Sequence, residues 1–340
     1  MTLDHAVALS LFTDLCRVGL TERLRADDPH LLELAESRVA EAAARRRDAE
    51  ACGIGVLPWF DARFPTMLAA ITDGPAALWF QGDLSVLDRP AVAIVGSRAA
   101  TPVALATAGR LGADLAALGI TVVSGLARGV DSAAHRGALQ TGSTIAVLGS
   151  GLDCIYPEEH KPLAREIAAR GLVVSEYPLG TPPQKRHFPM RNRVISGLSR
   201  AVVIIEAAED SGSLITAACA LEQGREVMAV PGNVLSGRNR GGHALIRDGA
   251  KIVECVDDIV EDLGIGIGTS ATPEASSNRC AQARSADPVL TRMEPGQPYD
   301  LDALAFHSGL EIGRLLPRLL ELELAGFIRR TEGGRFVRSA

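Results

Sequence analysis

From Pro90 to about residue 264 the sequence repeats one pattern: a short apolar, β-branched run closes on glycine or serine and gives way to an amphipathic helical stretch. The runs are Ala91 to Val95, Ile120 to Val123, Thr144 to Leu148, Leu172 to Val174, Ala201 to Ile205, Val227 to Val230 and Lys251 to Val253. They are almost continuously apolar, as strands must be when helices cover both faces of a parallel sheet. The alternation therefore predicts an α/β fold with a doubly wound, mainly parallel sheet. Helix signals fall between the runs. Thr101 is placed to cap a helix whose first residue is Pro102, and Ser213 to cap LITAACALEQG, which stops at Gly224.

The flanks follow other rules. Over residues 1–52 apolar positions recur at helical spacing, which predicts a small helical domain. The stretch from Gly53 to Asp83 scatters prolines and aromatics and reads as a packed connector with one short strand at Ala77 to Gln81, so the sheet domain spans 53–264 with its core at 88–264. Residues 265–287 are rich in Gly, Ser, Ala and Thr and read as a flexible linker. Residues 288–340 give helix, helix and a hairpin turning at Gly333 and Gly334, the order of a winged helix. That last unit holds seven basic and seven acidic side chains, with Arg329, Arg330, Arg335 and Arg338 in the wing. This balance suits accessory DNA contact or protein contact equally.

Several classes are excluded early. No stretch reaches the roughly 18 apolar residues of a membrane span, and the N-terminus carries Asp4 and Asp14 where a signal peptide would carry lysines, so a cytoplasmic protein with no membrane partner is expected. The six cysteines stand singly with no CxxC pair, against both a zinc site and a disulfide framework. None of the three lysines, Lys161, Lys185 and Lys251, follows a glycine, and GSGLDC at 149–154 lacks the last glycine of GxGxxG. A nucleotide cofactor is therefore not expected.

In an open parallel sheet, ligands bind beyond the carboxyl ends of the strands. Here those ends read GSR (96–98), SGLARG (124–129), GSG (149–151), SEYPLG (175–180), EDSGS (209–213) and PGN (231–233). Small residues with helix N-termini behind them make a rim suited to phosphate. Ser124, Asp131 and His135 invite comparison with a hydrolase triad, but no GxSxG elbow occurs. Glu206 and Glu209 form an ordinary strand-end pair of acids, and no catalytic residue is assigned. The remaining candidate is KRHFPMRNRVISGLSR at 185–200, five basic side chains in a chain of net charge -6. Lys185, Arg186, Arg191 and Arg193 supply phosphate contacts and Phe188 a face for a base. Its first part reads as a loop shaped by Asn192, and Val194 to Leu198 as a helix-compatible approach to the next strand.

AIVGSR, SGLARGVDSAAH, AVLGSGLDCIYPEEH, SEYPLGTPPQKRHFPMRNRVISGLS, EAAEDSGSLITA and GREVMAVPGN, in this order, resemble the DNA-processing protein A family (DprA, also called Smf) over about residues 90–262. DARFPTMLAAITDGPAALWFQGD is similar to the family's entry to the sheet, with Phe64 where a tyrosine is common. The resemblance implies an extended Rossmann-like domain without a cofactor, an N-terminal sterile-alpha-motif-like (SAM-like) domain and a C-terminal winged helix. It further implies a non-enzymatic protein that binds single-stranded DNA without sequence specificity, forms a homodimer near the later strands, and loads the recombinase RecA in natural transformation. Carried over by motif, Arg98, Lys185, Phe188, Arg191, Asn192 and Arg193 would line the DNA groove. Gly96, Ser97, Ser124, Gly125, Ser211, Gly212 and Ser213 would offer backbone or hydroxyl contacts. Two alternatives stand beside it. One is a nucleoside-monophosphate phosphoribohydrolase of the related Rossmann-like group, although DSGSLIT replaces the glycine pair of the PGGxGT loop in those enzymes. The other is an adaptor working through its winged helix.

Overall fold

The computed structural model describes residues 1–12, 15, 17, 19–263, 289–293, 297–308, 310, 312–324, 327–330 and 335–338. The expected linker at 265–287 and the turn at Gly333 and Gly334 lie outside these residues. The chain divides into two compact units, Met1–Ile265 and Gly266–Ala340.

Four helices open the first unit: α1 (Leu3–Ser10), α2 (Leu20–Arg25), α3 (Pro29–Glu36) and α4 (Val39–Ala51). Local chemistry sets their starts. Thr2 and His5 form a reciprocal capping box on α1, and Asp28 caps α3 ahead of Pro29. The apolar side chains of these helices, Leu9, Leu24 and Leu31 among them, share one core with Trp79, Ala146, Leu148 and Ile167 of the sheet layer. The helices over 1–52 and the sheet are thus one packed body.

Next come β1 (Gly55–Pro58), α5 (Thr66–Ala69) and β2 (Ala77–Gly82). The expected alternation follows as β3 (Ala91–Gly96), α6 (Pro102–Ala117), β4 (Thr121–Ser124), α7 (Val130–Thr141), β5 (Thr144–Leu148), α8 (Lys161–Arg170), β6 (Leu172–Ser175), α9 (His187–Gly197), β7 (Ala201–Ile205), α10 (Ser213–Glu222), β8 (Glu226–Ala229), α11 (Arg240–Arg247), β9 (Lys251–Ile252) and α12 (Val256–Asp262). The seven strands expected from Ala91 onward and the one expected at Ala77 to Gln81 all occur within a residue of their expected ends, and β1 adds a second strand to the connector. They form a nine-stranded sheet in the order β1-β2-β6-β5-β4-β3-β7-β8-β9, parallel except that β2 runs antiparallel to both its neighbours. Alternate residues serve opposite faces. Ile145 and Val147 enter one core with α9 and α10, whereas Ala146 and Leu148 enter the other with α7, α8 and the N-terminal helices.

The strand order positions everything that follows. From β3 the chain builds outward through β4, β5 and β6, then returns along α9 to place β7 on the other side of β3. The carboxyl ends of β3 and β7 therefore diverge at a topological switch point, where such sheets open a crevice. Two local expectations are corrected here. Residues from His187 onward are helix rather than loop, because the return crossover passes beneath the sheet and all of Arg191 to Gly197 is buried. Ser213 is the first residue of α10 instead of its cap. Gly212 holds the cap position without a side chain, and the Ser213 hydroxyl bonds Ser211 Oγ at 2.7 Å. Thr101 does cap α6, accepting from Ala104 N at 3.2 Å. On the outer layer α6 meets α7 closely at a glycine pair: a Cβ on Gly137 would overlap the Gly109 carbonyl.

The second unit holds β10 (Pro298–Tyr299), α13 (Leu301–Ser308), α14 (Ile312–Leu324), β11 (Ile328–Arg330) and β12 (Phe336–Arg338), with sheet order β10-β12-β11. Leu304, Leu315, Leu319, Ile328 and Phe336 fill its core. Of the wing arginines, Arg338 is structural, donating from Nη1 to the carbonyls of Leu290 at 2.6 Å and Met293 at 3.1 Å. No described helix is long and apolar enough to cross a membrane.

Candidate nucleic-acid interface

At the switch point lies a cleft of about 400 Å³. The end of β3 and the loop after it contribute Gly96, Ser97 and Arg98, the loop after β7 and the start of α10 contribute Ser211, Gly212 and Ser213, and α9 contributes Phe188, Arg191 and Asn192. Two acids, Asp131 and Asp210, also line it. Gly96 is required by space, since a Cβ there would overlap the Ile205 carbonyl on the neighbouring strand. Backbone N–H groups at the start of α10 and the hydroxyls beside them are hydrogen-bond donors of the kind phosphate oxygens accept.

Beside the cleft the aromatic side chains form a ledge. Phe188 is flanked by the Arg98 guanidinium, 5.4 Å from its ring centroid, and by the Tyr156 ring at 5.6 Å with planes inclined 45°. A second hollow of about 70 Å³ adjoins Phe188, lined also by Arg98, Gly125, Arg128, Tyr156 and Arg191. Tyr156 is 44% exposed, so an aromatic face and a cation are offered to solvent together. Sequence reasoning passed over Tyr156. The available signal was an aromatic inside a strand-end loop, SGLDCIYPEEH.

The run Arg191, Asn192, Arg193 does not act as one wall. Arg191 is 4% exposed, and its Nη1 donates to the Gly125 carbonyl at 2.8 Å and, more closely, to that of Val147. It thereby ties together the ends of β4 and β5. Burial pulls its pKa down to about 10, opposed by the charge of Asp131. Asp131 accepts from Gly125 N at 3.0 Å and Ala127 N at 3.4 Å, and burial pushes its carboxyl up. Asn192 donates to the Gly212 carbonyl at 3.2 Å, fastening α9 to the loop after β7. Arg193 faces away from the cleft, pairing with Glu176 at 2.5 Å and Asp73 at 3.4 Å. Ser124 spends its hydroxyl on the Ile94 carbonyl at 2.6 Å, and Gly125 reaches only the smaller hollow. Lys185 is exposed in the turn before α9, outside the lining of both hollows.

No hydrolase triad forms. His135, which would have to link Asp131 to a nucleophile, is fully buried with Nδ1 2.8 Å from Thr144 Oγ1. Burial is the main cause that lowers its pKa from 6.5 to about 3. An unfolded histidine takes up its proton near pH 6.5 and the folded one only near pH 3. The neutral, buried ring therefore contributes stability that is present above pH 6.5 and lost as pH falls towards 3. Stability measured by urea unfolding should fall across that window more steeply in the wild type than in His135→Gln; equal slopes would refute this account.

Glu206 has a role of its own. It adopts φ +50, and its Oε1 accepts from Thr101 N at 3.0 Å while Oε2 takes the Thr101 hydroxyl in a shorter bond. A carboxylate thus occupies the N-terminus of α6, the place where dinucleotide folds seat a pyrophosphate. Among the described residues, no group of three or more His, Cys, Asp or Glu is gathered to hold a metal.

Known proteins resemble the chain over both of its units. Residues 55–264 match the family model described as DNA recombination-mediator protein A, and residues 270–334 match the DprA winged helix domain. Protein Smf of Escherichia coli is 43% identical over 279 residues, covering 80% of this chain and 74% of its own, and DNA processing protein DprA of Streptococcus pneumoniae is 46% identical over 200 residues, covering 58% and 71%. The X-ray structure of the S. pneumoniae protein superposes with TM-score 0.66 at 36% identity, covering 77% of this chain and 99% of that one. A Helicobacter pylori DNA processing protein A structure, whose subject is its single-stranded DNA binding mode, superposes with TM-score 0.56 at 33% identity, covering 62% and 95%. On these matches, and with its crevice at the β3–β7 switch point, the chain belongs to the DNA recombination-mediator protein A (DprA/Smf) family.

Proposed function

We propose that the protein binds single-stranded DNA without sequence specificity at the strand-end cleft and, as a recombination mediator, delivers the bound strand to RecA in bacterial DNA processing and natural transformation. The observation that carries this reading is the ledge of Arg98, Phe188 and Tyr156 between two small-residue loops. Every base has a π face for the aromatics, and every phosphate can accept from Arg98, from the serine hydroxyls and from backbone N–H groups, so the site is tolerant of sequence. The relative from H. pylori, described for its single-stranded DNA binding mode, supports the same ligand. No catalytic step is assigned, because the groups that would perform one are committed elsewhere: His135 to Thr144 and Glu206 to the start of α6. A homodimer fits the open edge of the sheet, where β9 presents Ile252 at 48% exposure.

Titration of fluorescent oligo-dT across salt tests the reading. Single strands should bind more tightly than duplex, with log affinity falling linearly in log salt. Lys185→Ala should weaken binding and make the slope shallower by about 0.7. Equal affinity for single strand and duplex, or none for either at low salt, would sink the proposal. Turnover of a nucleoside monophosphate would return the enzyme reading.

A further inference from the structure

Helix α9 begins poorly equipped to hold its own first turn. Arg186 at the cap position makes no side-chain capping bond, and Pro189, placed where an N–H would have no intrahelical partner, neither adds nor costs a bond in the turn. Phe188, the centre of the aromatic ledge, lies in that turn. His187 N donates to the Gln184 carbonyl at 2.9 Å and His187 Nδ1 lies 3.2 Å from the Gly149 carbonyl, and a further set of contacts leads back to the N-terminal region.

Arg17, in the connection between α1 and α2, is nearly buried, its side chain 12% exposed. Its Nη2 lies 3.2 Å from Glu176 Oε2, its Nη1 donates to the Met190 sulfur at 3.1 Å, and its guanidinium sits 5.8 Å from the Tyr177 ring centroid. Glu176 and Tyr177 directly follow β6, whereas Met190 belongs to the first turn of α9. Tyr177 stacks in turn on His187, the first residue of α9, with centroids 4.2 Å apart and planes inclined 22°. Arg17, Tyr177 and His187 make a three-tier stack that ends one residue before Phe188. A second tie runs in parallel. Thr21 on α2 bonds Ile71, Thr72 and Gly74, and the loop so held carries Asp73, 3.4 Å from Arg193 on α9.

We infer that the N-terminal helices brace α9 and that Arg17 is a positioning residue for the DNA-binding face, holding the turn of Phe188 in the arrangement a single strand meets. This rests on the single-stranded DNA reading above. Without the brace the turn is ordered only on binding, and that ordering is subtracted from affinity.

The test is Arg17→Met in the full chain. Glu176 keeps Arg193 at 2.5 Å, so the change leaves that buried carboxylate paired and the fold intact. The oligo-dT Kd should rise about threefold to tenfold, the cost of ordering one or two side chains. Stoichiometry and salt slope should stay as in the wild type, because Arg17 is buried away from phosphate. In the free protein, amide exchange should accelerate over residues 187–191 and not in α7. If the wild type fails to bind oligo-dT, the DNA reading falls and the inference with it. If the wild type binds, an unchanged Kd, unchanged exchange at α9, or a lowered stoichiometry at constant Kd each overturns the brace alone.

Discussion

Arg191→Met should destabilise the protein by about 3 kcal/mol, a larger effect than any other single change at the site is expected to have on folding. The guanidinium is the donor for the Gly125 and Val147 carbonyls, and its charge offsets that of buried Asp131. Methionine fills much of the volume but leaves two strand-end carbonyls and a carboxylate without that partner. The urea midpoint of the main transition should drop with little change in slope. Asp131→Asn added to Arg191→Met should recover part of the loss, since an amide is cheaper to bury than an unpaired carboxylate. If instead the single variant keeps its stability and loses only oligo-dT affinity, Arg191 is a phosphate ligand and not the tie between β4 and β5.

The contrast between Arg191 and Arg193 marks the boundary of what the sequence reveals. Strands β3 to β9 were legible because a strand covered on both faces must be apolar along its length, and that signal is local. The crevice lies between β3 and β7, neighbours separated by more than a hundred residues, and strand order is a long-range property that no local pattern encodes. The same holds for α9. Basic residues either side of Asn192 suggest a common surface when read as a loop, but on a helix a spacing of two residues turns about 200° and sends the two side chains to opposite sides. Arg191 then meets the ends of β4 and β5, and Arg193 meets Glu176 and Asp73, partners distant in sequence. Gly96, Ser97, Ser211 to Ser213 and Phe188 could be placed at one cleft from strand-end position alone, whereas Ser124, in the same kind of loop, turns its hydroxyl to the Ile94 carbonyl. The placement of Tyr156 against Phe188, and of Arg17 against Glu176 and Met190, depends on what the fold sets beside them.

Phe188→Ala should cost the largest share of DNA affinity, and its pairing with Arg98 makes the expectation sharper than a simple loss. Removing a stacking ring is worth about 1–3 kcal/mol per base, which weakens oligo-dT binding by roughly fivefold to above a hundredfold. The salt slope should not change, because no charge is removed. Arg98→Ala should lower affinity as well but also make the slope shallower by about 0.7, the signature of one lost phosphate contact on a single strand. The guanidinium sits 5.4 Å from the Phe188 centroid, so each group also holds the other in place. The double variant should therefore lose less than the sum of the two single losses, by about 0.5–1 kcal/mol. Strict additivity would show that Arg98 and Phe188 meet the strand independently. A Phe188→Ala change in slope would show that the ring's removal displaces a cation, so that the ledge is chiefly an electrostatic device and base stacking is not its main contribution.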